Sequence, residues 1–206
     1  MAINRRNILI GLGALVGGGG ALVGTGAFTT VSAAREVSVS TAGDGSAFLT
    51  LEETSDYVSD DGSSDTVTIN LGGNDSNGFN KNAITELSAV LTVTNNAADE
   101  ENINVGVTTT APGGSPSPEG STQILFQTTE DGSTTNDALV TFTMIGGSTN
   151  PEDDGAVQTL SNGEQAKIDV TVNTIPSDMT AAEGDSVTTA EGTSDLTIVA
   201  NDAGSS

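Results

Sequence analysis

The chain has 206 residues, with 28 acidic against 5 basic side chains and a formal charge of −23. A surface of that sign repels phosphate backbones and anionic lipid, because binding phosphate requires clustered cations, so nucleic acid is excluded as a partner. Cysteine and histidine are both absent, which removes disulfides, thiol nucleophiles, the commonest metal ligand and the usual general base near neutral pH.

The charges are unevenly placed. Arg5 and Arg6 stand near the start, and every carboxylate lies at Glu36 or later. Ile8 to Val23 is apolar but diluted by Gly17, Gly18, Gly19 and Gly20. A membrane-spanning helix needs about 20 apolar residues, and glycine weakens helix propensity further. Residues 1–33 therefore read as an export signal rather than a permanent anchor, followed by one acidic β-sandwich domain over 34–206. Arg5-Arg6-Asn7-Ile8-Leu9 has the form of a twin-arginine signal, which carries folded cargo. The same residues also suit the general secretion route, and the Gly-rich apolar region tips the reading towards twin-arginine export. Small-x-small cleavage is satisfied after Ala27 and after Ala33, and spacing does not choose between them. Val199 to Ser206 is polar, so membrane contact is expected only through the signal before cleavage. A third arrangement, with the signal uncleaved, would tether the domain.

Beyond the signal the period is two. Val37 and Val39 alternate with serines, and Phe48 to Leu51 is a short apolar run. Val67, Ile69 and Leu71 follow, then Leu87, Ala89, Leu91 and Val93 up to Asn95-Asn96. Ile103, Val105 and Val107 make the next strand, then Ile124 with Phe126, then Val140, Phe142 and Met144. Ile168, Val170 and Val172 form the clearest late strand, and Leu196 with Ile198 closes the series. Nine or ten short strands with turn-rich connections predict an all-β jelly-roll or Greek-key sandwich. Segments 55–65, 73–82, 111–121, 129–136 and 146–155 read as acidic, Gly/Ser/Thr/Asn-rich loops, with 111–118 an extended, exposed linker containing Pro112, Pro116 and Pro118. Residues 178–194 read as partly helical or as a loose arm. High charge and few aromatics also fit disorder, but β-branched residues at every second position argue for a folded domain. Scarce lysine beside abundant Asp, Glu and Thr resembles proteins of extreme halophiles. In molar salt the Debye length falls to about 3 Å, which screens the mutual repulsion of the carboxylates.

For catalysis, no nucleophile elbow, zincin, P-loop or paired-carboxylate motif is present, and no enzymatic activity or cofactor is expected. Asp56, Asp60, Asp61 and Asp65 share one loop, Asp75 with Asn74 and Asn77 another, and Asp153 with Asp154 a third. Calcium takes six to eight oxygen ligands on such loops, but none has the calcium-loop spacing, so no metal site is assigned and solvated acidic loops are the reading. Asn74-Asp75-Ser76 is the chain's N-glycosylation sequon. Finally, Phe28, Thr29, Thr30, Val31, Ser32, Ala33 and Ala34 form a stretch without Gly, Pro or acid. Cleavage after Ala27 would leave it as a β-prone arm able to add a strand to a neighbouring sheet edge. Cleavage after Ala33 would remove most of it.

Several of these segments together resemble a known family. Gly24-Thr25-Gly26-Ala27-Phe28, then Val37-Ser38-Val39, then Gly45 to Leu51 have the layout of TasA/camelysin proteins, with a Gly-rich signal and a following apolar strand. Val90 to Asn96 resembles that family's strand ending in Asn-Asn, and Leu160-Ser161-Asn162-Gly163-Glu164 looks like a turn common in secreted β-sandwiches. The start is also similar to haloarchaeal secreted proteins. The specific part covers residues 1–51, and the arginine pair, acidic loops and scarce lysine depart from the bacterial pattern. TasA-like proteins and archaeal bundling pilins are jelly rolls that polymerise by donor-strand exchange. The resemblance implies that residues 28–34 insert into the next subunit, making the chain a self-associating surface or matrix filament protein. The alternative expectation is a monomeric extracellular module for a cation or surface glycan.

Overall fold

The computed structural model describes residues 30–31, 36–43, 49–53, 56–60, 66–71, 79–96, 102–146, 154–179 and 187–203. The signal helix expected before residue 30 lies outside them. Fourteen strands run through the described residues. They are β1 (Thr30–Val31), β2 (Glu36–Gly43), β3 (Leu49–Glu53), β4 (Val58–Asp60), β5 (Thr66–Asn70), β6 (Phe79–Asn80) and β7 (Ile84–Asn95). The later ones are β8 (Ile103–Thr108), β9 (Ser121–Glu130), β10 (Ser133–Ile145), β11 (Gln158–Leu160), β12 (Gln165–Asn173), β13 (Val187–Ala190) and β14 (Thr193–Asp202). Apart from a 3-10 turn at Pro112–Gly114, the described residues contain no helix.

These strands build an all-β sandwich. One six-stranded sheet has the order β13-β9-β10-β12-β7-β3, and the other β11-β8-β14-β2-β5-β4. Neighbours are antiparallel except β13 beside β9 and β14 beside β2. Period-two burial decides the faces. Val37 sits opposite Ile69 and Val39 opposite Val67, and all four meet Leu91, Phe126, Phe142 and Ile168 of the other sheet in one core. Fully burying a side chain of that size stabilises by about 1.5–3 kcal/mol, so the alternating valines and isoleucines, without disulfides, supply the cohesion. Most connections pass from one sheet to the other, leaving β4–β5 and β9–β10 as the hairpins between adjacent strands.

Two motifs read separately in the sequence meet in space. Buried Asn95, ending β7, donates from Nδ2 to the Leu160 carbonyl at 3.0 Å. Its backbone N–H donates to the Glu164 carbonyl and its carbonyl accepts from Gly163 N–H. Glu164 Oε2 in turn accepts from Ser161 N–H at 2.8 Å, closing the turn. The Asn-Asn strand end and the Leu160–Glu164 turn thus brace one end of the sandwich.

The structure differs from the sequence reading at several places. Residues 129–136 are not a loop: β9 and β10 continue to a two-residue turn at Asp131 and Gly132, whose φ values are 50° and 79°. Both central residues at positive φ make an Asp-Gly hairpin turn of the kind that matches strand twist. Residues 187–190 are strand rather than helix, and β4 lies within the segment read as the 55–65 loop. Residues 111–118 are not extended throughout, since Gly114 N–H closes the 3-10 turn on the Ala111 carbonyl at 2.8 Å. Another difference is the interior of β7, where a bulge interrupts the alternation.

Candidate functional site

Of the arm, Thr30 and Val31 are described; Phe28, Thr29, Ser32, Ala33 and Ala34 lie outside the described residues. So do Arg5 and Arg6, the cleavage position Ala27 and the sequon residue Asn74. Thr30 pairs with Asn80 and Val31 with Phe79, antiparallel. This two-stranded sheet is separate from both large ones. Phe79 packs half-buried against the core. The Asn80 carbonyl accepts from Thr174 Oγ1 at 2.7 Å, while Thr174, only 5% exposed, binds Ala83 from its backbone: its N–H donates to the Ala83 carbonyl at 2.9 Å. The β6 platform is therefore fixed to the end of β12, and the arm is held to it by two residue pairs.

Immediately after this platform, β7 has two unlike halves. Leu91 to Asn95 is flanked by β12 on one side and by β3 on the other. Ile84 to Leu87 pairs with β12 alone, and among the described residues no strand pairs with its other edge. Direct opposition of Ala83 and Thr174 sets the phase of the ladder. In antiparallel pairing, backbone groups alternate in direction, so those of Thr85 and Leu87 face β12 and those of Ile84 and Glu86 face away. Ile84 is 50% exposed and Leu87, which points inward, is only half-buried.

The boundary between the halves is the bulge. Leu87 faces Val170 and Leu91 faces Ile168, so three residues of β7 stand opposite Asp169. Ala89 takes φ 51°, a left-handed conformation that costs a non-glycine residue about 1–2 kcal/mol. Its N–H donates to Asp169 Oδ1 at 2.6 Å, a charge-assisted bond that offsets the strain. Bulges bend a strand and can end pairing, and here the last pair between β3 and β7 among the described residues is Glu53 with Leu91. Sequence alternation through Leu87, Ala89, Leu91 and Val93 gave no sign of it; an alanine at the turning point hides a position where glycine would have been the signal.

Concavities also mark the described surface. A cleft of about 960 Å³ is lined by Ile145, Val157, Gln158, Glu164 and Lys167 among others. A hollow of about 250 Å³ on the outer face lies over Glu86, Ser88, Thr143, Asp169 and Thr171. Among the described residues, no three Asp or Glu side chains converge on one point. Of the acidic loops, Asp56 and Asp154 are described and exposed, whereas Asp61, Asp65, Asp75 and Asp153 lie outside the described residues. No protein-family model matches the chain, and no curated protein matches it.

Proposed function

We propose that the chain is an exported structural protein of a high-salt cell surface or matrix, whose domains join into filaments by donor-strand exchange. The observation that carries this reading is the juxtaposition of an arm held by two residue pairs with the edge of β7 at Ile84 and Glu86 that no described strand pairs. An incoming strand would satisfy two N–H and two C=O groups there, each hydrogen bond worth about 0.5–1.5 kcal/mol. It would also complete the cover over Leu87 and Ile84. The arm residues 28–34 have no charge of their own, so they approach an acidic neighbour without repulsion. Cleavage after Ala27 keeps β1, and cleavage after Ala33 discards it.

Two variants test this by electron microscopy and light scattering in molar salt. Deleting residues 28–34 behind an intact signal removes the donor. Glu86→Pro removes an outward N–H while sparing the ladder to β12, the position at which an edge strand tolerates proline. Filaments from the unaltered chain, and none from either variant with the melting temperature of Glu86→Pro close to the parent, are the expected results. Filaments that persist in both overturn the reading. The cleft beside Lys167 and Glu164 favours the second reading, a monomeric module, and a strictly monomeric native protein beginning at Ala34 would support that instead.

A further inference from the structure

The first and last strands of the two large sheets lie side by side in the middle of one of them. β2 pairs with β14 over eight residue pairs, from Glu36 with Thr193 to Gly43 with Ala200, and the two run parallel. In that sheet every other neighbouring pair is antiparallel. The chain therefore enters this ladder at one end, at Glu36, and leaves it at the other, at Asp202. Asn70 N–H donates to the Tyr57 carbonyl at 2.7 Å, so Asn70 faces β4 and Ile69 faces β2. Antiparallel partners alternate in this way. Val37 and Val39 therefore turn their backbone groups to β5, leaving those of Glu36, Ser38, Ser40 and Ala42 for β14. On the far side, Ala203 N–H donates to the Asn102 carbonyl at 2.9 Å. The same alternation turns Thr197, Val199 and Asn201 to β8, and Leu196, Ile198 and Ala200 to β2. The backbone groups of the two strands thus interleave in one uninterrupted ladder.

Neither face of β14 is open to water. Leu196 and Ile198 point into the core beside Val37 and Val39 of β2, all four without exposed surface. On the opposite face Thr197 and Val199 are buried too, although Val199 stands outside the main core. The connection between β8 and β9 crosses there. A Cβ on Gly106, the partner of Val199, would stand 2.6 Å from the Glu119 backbone nitrogen, and the Pro112–Gly114 turn lies near β2. Hydrogen bonds kept from water are electrostatically stronger, and no solvent stands ready to replace a partner that is pulled away.

We propose that the β2–β14 pair is a mechanical clamp, through which the domain bears tension along its chain. Tension between Glu36 and Asp202 pulls the two strands along their own axes in opposite directions, so every rung of the ladder is strained at once. A slip of one residue would turn Val37 and Val39 away from the core, so the strands have no neighbouring register in which to rest. Tension that parted the strands at one end would instead break the same rungs one after another, at a much smaller force. The arm at residues 28–34 leads through Arg35 into Glu36, so a load taken by the arm reaches the sandwich at this end of β2. The clamp goes beyond the filament reading and does not rest on it.

Single-molecule force spectroscopy of the full chain in molar salt tests this. Cysteine is absent, so a pair of introduced thiols fixes where the force is applied. Glu36→Cys with Asp202→Cys pulls along the ladder. Glu36→Cys with Glu191→Cys pulls at one end of it, because Glu191 stands just before Thr193, the partner of Glu36. Glu191 and Asp202 are both exposed. Forced unfolding reads the unfolding barrier, so two pulling directions on one fold report the geometry rather than the stability. The force that opens the domain is expected to be several-fold higher in the first geometry than in the second. Equal forces, or a lower force in the first geometry, overturn the proposal. Both measurements are made on single molecules, so neither outcome depends on filaments.

Discussion

The two halves of β7 each place leucine on the inward face and end in different environments. Leu91 and Val93 are completely buried, whereas Leu87 is half-exposed; Ile84 belongs to the outward face and lies open. Composition does not separate them; neighbours do. Residues 91–95 have a strand on each side and the opposite sheet above, while residues 84–87 have β12 alone. A side chain's burial is set by the number of strands beside its own, and the Ala89 bulge is what changes that number partway along one strand.

The largest expected effect comes from cutting the same side chain on each side of the bulge. Leu91→Ala should cost about 2–5 kcal/mol, the range for a leucine deleted from a packed core. Leu87→Ala should cost roughly half as much or less, because much of its surface is already in water. Thermal melts in molar salt measure both, and equal losses would mean that the unpaired half is as well covered as the paired one.

The bulge itself is next in size. Asp169→Ala removes the acceptor of the Ala89 N–H and should destabilise by about 1–3 kcal/mol, less to the extent that solvent reaches the site. Ala89→Gly relieves the left-handed strain and should leave stability unchanged or raise it by up to about 1 kcal/mol, since the freedom glycine gives the unfolded chain takes back part of the gain. A clear loss in Ala89→Gly would show that the alanine methyl packs usefully despite its φ.

Smallest in energy, but sharpest in position, is amide hydrogen exchange. Amides of Thr92 and Thr94, which β3 covers, should exchange slowly, while those of Ile84 and Glu86 should exchange at rates near those of an open chain. In any filament joined through this edge, the last two become protected and the first two stay as they were. Protection of Ile84 and Glu86 already in a monomer would mean that a segment of the same chain lies along the edge.

Much of the architecture was legible because a half-buried strand writes its face into every second residue. Val37 with Val39, Ile103 to Val107, Val140 to Met144 and Ile168 to Val172 are strands whose inward residues are the ones alternation selects. The Asp131-Gly132 turn was equally readable in principle, since Asp-Gly between strands is the residue pair that hairpin turns demand; acidic and polar neighbours disguised it as loop. Strands such as β4 and β11, three residues each, leave too few alternations to be distinguished from the loops around them.

Composition and periodicity set the class of molecule: an acidic, cysteine-free chain whose apolar residues repeat every second position folds as sheets packed face to face. They also mark the arm at residues 28–34, which has no Gly, Pro or acidic residue, as an exception. Long-range contacts settle which strands lie side by side, and with that which part of β7 pairs with β3, that Asn95 closes on the Leu160–Glu164 turn, and that Thr30 and Val31 pair with Asn80 and Phe79. Period two fixes which face of a strand is wet, but which edge is covered depends on partners far away in the chain, and no local pattern records them.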